Sequence, residues 1–124
     1  MRWKVYAYAG CDTCRRALRF LADAGVVHDV IPIRDQPPTR RELEWALDDS
    51  GGNVRRLFNT AGQEYRRLGV GQQLAGLTRA EAIDLLAANG HLVRRPLVVA
   101  GPTAWVGFDA VKWPARLQAA CRPR

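Results

Sequence analysis

Sulfur and imidazole are scarce in this chain: its 124 residues hold three cysteines, one methionine and two histidines. Three cysteines are too few for the disulfide framework of a small secreted domain. His28 and His91 match no ligand spacing, and no second CxxC accompanies Cys11 and Cys14, so a four-ligand zinc site is not expected. No apolar run approaches the length of a membrane span, and the N-terminus lacks the apolar core of a signal peptide. These absences lead to the expectation of a cytoplasmic protein without a membrane partner. No basic run is interleaved with aromatics and no known nucleic-acid motif appears, so direct contact with nucleic acid is not expected either. Internal repeats and low-complexity segments are also missing.

What is there is an ordinary globular composition: 48% hydrophobic and 25% charged residues, enough for one core. The expectation is one domain over residues 1–124 that works as a monomer. The net charge is +7, almost all from arginine. Such a balance is either a solvated surface or an attraction to anions such as glutathione, an oxyanion or an acidic protein.

The chain is organised around Ala9-Gly10-Cys11-Asp12-Thr13-Cys14-Arg15-Arg16. A short alternating run, Trp3 to Tyr8, precedes it, and a strongly helical run, Arg15 to Ala24, comes after it. Cys11 falls at or just before the helix start, where free N–H groups and the helix dipole favour an anion. Such a position lowers a cysteine pKa from about 8.5 to roughly 3.5–7.5. Thiolate is the form that attacks disulfides, and Arg15 and Arg16 add positive potential, so Cys11 is a candidate nucleophile. Cys14 lies three residues on, within disulfide reach. The same spacing also fits half a zinc site or a pair of small buried residues.

Trp3, Val5 and Ala7 alternate with Lys4, Tyr6 and Tyr8 in a period-two strand. In the first helix Cys14, Ala17, Leu18, Leu21 and Ala22 share one face, with Arg15, Arg16, Arg19 and Asp23 on the other, and Gly25 marks the stop. Cys14 therefore points to the core and Cys11 sits at the tip, an asymmetry that suits a resolving and an attacking cysteine. Val26 to Ile33 reads as a second strand, parallel to the first through the intervening helix. Gln36-Pro37-Pro38 breaks the chain. Thr39 to Glu42 and Thr78 to Glu81 are capping boxes that open helices carrying Leu43, Ala46 and Leu47, then Ala82, Leu85 and Leu86. Residues 39–90 hold helical pieces and no strand. Leu92 to Ala100 and Ala104 to Phe108 form a hairpin about Gly101-Pro102. Asp109 caps a last helix that starts near Lys112 or Trp113, because Pro114 fits only a first turn, and runs to about Cys121.

This order, βαβ, helices, then ββα, predicts an α/β thioredoxin-like fold with a mixed four-stranded sheet and a helical insertion between its halves. Such domains set a cis-proline opposite the redox cysteines, and Pro96 is the candidate. Arg95 would then face Cys11, where a guanidinium would stabilise a thiolate and orient an anionic partner. Arg94, by strand alternation, points to the other face.

Four stretches resemble the arsenate reductase/Spx family of thioredoxin-like proteins, the group that also holds YffB. They are Cys11 to Ala17, Leu57-Phe58-Asn59-Thr60-Ala61-Gly62 with Tyr65 and Leu68-Gly69, Arg94 to Val99, and Val106-Gly107-Phe108. The resemblance implies Cys11 as nucleophile and Arg95 as the arginine before the cis-proline. Two further anion-holding arginines of the family's arsenate reductases fall near Asn59 and Gly107-Phe108, neither of which is arginine here. The implied activity is that of a thiol–disulfide oxidoreductase: Cys11 attacks, Cys14 or glutathione resolves, and Arg95 holds the thiolate. Asp12, Thr13, Arg15, Asn59 and Pro96 line the substrate, and glutathione serves as reductant with no bound cofactor or metal. The same resemblance leaves open an Spx-like redox-switched regulator of RNA polymerase and a true arsenate reductase. Cys121 reads as an idle thiol, and the four tryptophans as core or groove.

Overall fold

A computed structural model of the chain describes residues 2–120. Cys121 lies outside the described residues. Four strands form one mixed sheet in the order β2-β1-β3-β4. Strand β1 (Trp3–Ala7) runs parallel to β2 (His28–Pro32), with Val5 opposite Val30, and antiparallel to β3 (Leu97–Ala100); β4 (Thr103–Val106) pairs antiparallel with β3. Helix α1 (Asp12–Asp23) makes the crossover between the parallel pair, and α6 (Trp113–Ala120) comes after the hairpin.

Between β2 and β3 the chain is helical: α2 (Arg40–Asp49), α3 (Gln63–Arg67), α4 (Val70–Gln73) and α5 (Arg79–Ala88), linked by 3-10 turns at Val54–Leu57, Leu74–Gly76 and Gly90–Leu92. Both expected capping boxes form: Thr39 and Thr78 accept from the backbone N–H of Glu42 and Glu81, whose carboxylates accept from the threonine N–H groups. The insertion closes back on the sheet at Gly90, where a Cβ would sit 1.8 Å from the Ile33 carbonyl oxygen. Only glycine allows that approach.

Alternation along the central strands divides the interior in two. Trp3, Val5, Ala7, Val98, Ala100 and Trp105 pack with Cys14, Ala17 and Leu21 of α1 and Trp113 of α6. Tyr6, Leu97, Val99 and Ala104 face the other way and pack with Leu43, Leu47, Phe58, Ile83 and Leu86 of the insertion.

Helix α1 begins at Asp12, directly after Cys11 as expected, because the Cys11 side chain accepts from the Cys14 N–H and caps the helix. Other details differ from those expected of the sequence. Ala22 is exposed, since the buried stripe of α1 runs through Ala17 and Leu21 and leaves the last turn uncovered. The second strand is shorter than residues 26–33 and is an edge, with Val27 and Val30 more than half exposed.

Candidate active site

Cys11 is the N-cap of α1 and half-buried, with an extended backbone, φ −96° and ψ 116°. Its amide donates to the Tyr8 carbonyl at 3.0 Å, which closes the loop, and its sulfur accepts from the Cys14 amide at 3.2 Å. The sulfur therefore already takes a backbone N–H at a helix N-terminus, the arrangement that stabilises an anion. Three residues on, one helical turn carries Cys14 inward, where it is 1% exposed among Trp3, Ala17 and Trp105. Both thiols are free.

Burial, then hydrogen bonding with the Cys11 side chain, pushes the Cys14 thiol up to about 12, while a backbone bond from Tyr8 and the charge of Arg95 pull the other way. Cys14 is thus a protonated, shielded thiol at neutral pH. Beside it lies a cavity of about 310 Å³ between α1 and the edge strand, lined by Tyr8, Cys14, Arg15, Leu18, Val30 and Pro32.

The Arg95–Pro96 peptide bond is cis. Pro96 is buried, and its carbonyl accepts from the Gly107 amide at 2.9 Å. Arg95 is half-buried, but its guanidinium rests over the Tyr8 ring, 5.0 Å from the centroid, and makes no hydrogen bond to Cys11. Its charge acts on Cys14. Arg95, expected to face Cys11, has its guanidinium over the ring of Tyr8, the residue whose carbonyl holds the Cys11 amide. Arg94 is separate, although both arginines precede β3 and strand alternation does not reach them: its amide donates to Leu57 and its guanidinium lies beside Gly107.

The remaining candidates divide. Asp12 is exposed and Thr13 half-buried on the first turn of α1. Arg15 is turned to the loop, donating to the Ala9 carbonyl at 3.4 Å and standing 3.6 Å from Asp12. Asn59 is not gathered with the cysteines. Its amide donates to Leu92, and it lines a different cavity, about 430 Å³, with Arg55, Arg56, Phe58 and Arg94. A third cavity, about 410 Å³ at β4, takes in Arg94, Phe108 and Lys112, and no cysteine lines it. His28 holds the Val26 carbonyl, and Asn89 caps the His91 amide, local roles both. Among the described residues no three His, Cys, Asp or Glu side chains gather in a way that could hold a metal, and no helix is long and apolar enough to cross a membrane.

Two features escaped the sequence. Arg34, one residue past the buried Ile33, places its guanidinium 3.7 Å from the centroid of the Tyr8 ring. Glu42, expected only as a helix cap, is 3% exposed and also accepts from Tyr6 Oη at 2.7 Å and pairs with Lys4. The charge pattern offered a signal only for the second, in Lys4 and Tyr6 flanking Val5.

A mixed four-stranded sheet, a CxxC at the N-terminus of its first helix and a proline opening β3 define a thioredoxin-like protein. The ArsC family model matches residues 6–115, and the chain belongs to that family. It is 38% identical over 108 residues to an uncharacterized protein, YusI, of Bacillus subtilis, covering 87% of this chain and 92% of that one. To an arsenate reductase of Rhizobium meliloti it is 30% identical over 96 residues, 77% and 67% of the two chains. A crystal structure of an ArsC family related protein from Bacteroides fragilis superposes with a TM-score of 0.84 at 36% identity, covering 93% of this chain and 97% of that one. Similarity extends, at 26% identity over 105 residues, to a protein of Lactococcus lactis named global transcriptional regulator Spx 1, covering 85% of this chain and 80% of that one.

Proposed function

We propose that the protein is a thiol–disulfide oxidoreductase of the cytoplasm. The observation that supports this reading is the inequality of its two cysteines, an accessible sulfur capping α1 and a buried thiol one turn behind it. Cys11 as thiolate attacks one sulfur of a substrate disulfide. A Cys11–substrate disulfide forms, the substrate S–S bond breaks, and the departing thiolate takes a proton from water. Cys14 then gives up its proton and attacks Cys11, releasing the second substrate thiol and leaving a Cys11–Cys14 disulfide. Two electrons have passed from the dithiol to the substrate, and two molecules of a small thiol such as glutathione restore it.

Because burial holds the Cys14 proton tightly, resolution by Cys14 quickens as pH rises, and an incoming glutathione competes at neutral pH. Arg95 supplies positive potential, and Thr13, Asp12 and Pro96 border the approach. The test is reduction of bis(2-hydroxyethyl) disulfide with glutathione and a recycling system. Cys11→Ser is expected to abolish turnover, and Cys14→Ser, given the disulfide without glutathione, to stop at a mixed disulfide on Cys11. Turnover that survives Cys11→Ser sinks the reading.

The similarity to Spx 1 favours a second reading, in which the Cys11–Cys14 disulfide alters a surface that binds RNA polymerase. Capture of purified polymerase by the oxidised but not the reduced protein, without disulfide turnover, would select it. Arsenate reduction is the least supported of the three. Arg95 stands near the cysteines, whereas Asn59 and Gly107 occupy the places where the family resemblance puts further arginines.

A further inference from the structure

Two guanidiniums from different strand ends rest on one aromatic ring beside the nucleophile. Arg34 comes after β2 and lies 3.7 Å from the Tyr8 centroid; Arg95 precedes β3 and lies 5.0 Å from it. Tyr8 itself is bound into the cysteine loop. Its carbonyl accepts the Cys11 amide, and a Cβ on Gly10 would come within 2.7 Å of the ring. Among the described residues neither arginine has an ion pair, whereas Arg2, Arg67, Arg79 and Arg116 each meet a carboxylate. A cation over a ring face keeps N–H groups free for an acceptor, and neither guanidinium here meets a carboxylate. The pair is therefore open to an anion. A planar carboxylate matches the fork of a guanidinium.

We propose that Arg34, seated on the Tyr8 ring that Arg95 also approaches, is a specificity-determining residue that binds the carboxylate of a small acidic thiol or disulfide and brings its sulfur to Cys11. The inference rests on Cys11 being the attacking cysteine. It predicts that the site ranks substrates by charge: carboxylate-bearing disulfides ahead of neutral ones, and cationic ones last.

The decisive measurement is alkylation of Cys11 at pH 7 by iodoacetate and by iodoacetamide, read by mass spectrometry. The pair differs in one negative charge. The iodoacetate-to-iodoacetamide rate ratio at Cys11 is expected to exceed that of free cysteine and to fall about tenfold in Arg34→Ala. Arg34→Lys should recover part of it, and Arg79→Ala, which removes the same charge elsewhere, should not move it. A ratio equal in Arg34→Ala and Arg79→Ala overturns the proposal, as does a wild-type ratio no higher than that of free cysteine. Turnover of glutathione disulfide against cystamine separates this inference from the oxidoreductase reading. Turnover of both with an alkylation ratio indifferent to Arg34 keeps the enzyme and removes the clamp. A ratio that depends on Arg34 without turnover of either keeps the clamp and removes the enzyme.

Discussion

On one face of the sheet the interior is aromatic. Trp3, Trp105, Trp113, Phe20 and Phe108 form a chain of ring contacts with centroids 4.8 to 6.0 Å apart, edge to face except for the tilted Phe20–Phe108 pair, in the layer that holds Cys14. On the other face it is mainly aliphatic, with Leu43, Leu47, Ile83 and Leu86, and beside it sits a buried carboxylate, Glu42, bound by Tyr6 and Lys4. The first layer is small, built from rings with few rotamers, and it shields the thiol whose proton burial holds tightly. The second is large because the helical insertion rests on it, and Glu42 ties α2 to β1 through Tyr6 and Lys4. The contrast teaches that the cysteine loop is backed by the aromatic layer, while the insertion meets the sheet through an apolar cluster with one buried ion pair at β1.

Substitutions that break one layer at a time test this. Trp113→Ala should cost about 3–5 kcal/mol and Leu86→Ala a similar amount, both read by denaturant titration. Under native conditions, only Trp113→Ala should speed alkylation of Cys14, because only that layer covers it. Equal Cys14 reactivity in the two variants would dissolve the distinction.

Glu42→Gln should cost about 2 kcal/mol, since Lys4 is left facing a neutral amide but keeps water on its open side. Burial by itself would push the Glu42 carboxyl up, but hydrogen bonds from Lys4, Tyr6 and Thr39 together outweigh it and hold it below the usual range. The folded chain thus releases this proton more readily than the unfolded one. Its contribution is complete above the unfolded carboxyl value and drains away as pH falls through the folded one. Wild type should lose stability on acidification more steeply than Glu42→Gln.

The aromatic layer should fail at the opposite end of the scale. Cys14, raised to about 12 chiefly by burial, holds its proton more tightly folded than unfolded. Stability attached to it is intact below the free-thiol range and is lost as pH climbs through that range toward 12. Tyr6, raised by burial and by its bond to Glu42, acts with the same sign. The difference between wild type and Cys14→Ala in alkaline melts therefore isolates the thiol, and Cys14→Ala should show the shallower decline.

The smallest effect is expected where the two layers are joined at the surface. Arg116 of α6 bonds Asp49 of α2 at 2.7 Å, beside the outer strand β4. Arg116→Ala should cost about 0.5–1 kcal/mol, less in high salt.

Local signals carried most of the fold. The period of two in Trp3 to Ala7, the capping boxes at Thr39 and Thr78, the glycine after α1 and the proline that limits α6 all act through neighbouring backbone, and each appears where its residues place it. The family resemblance likewise rests on contiguous motifs. The site was legible in the same measure: Cys11 at a helix start and Cys14 behind it are consequences of one turn of helix.

Everything that joins distant segments was decided elsewhere. That Arg95 stacks on Tyr8 rather than reaching Cys11, that Arg34 arrives at the same ring, that Asn59 lines another cavity, and that Glu42 is buried under Lys4 depend on how β2, β1 and β3 align and how the insertion lies upon them. Hydrogen-bonding periodicity and capping act over a few residues, so the chain encodes them directly. A long side chain's resting place is settled by the contacts available once the strands are side by side, and no stretch of sequence contains those contacts.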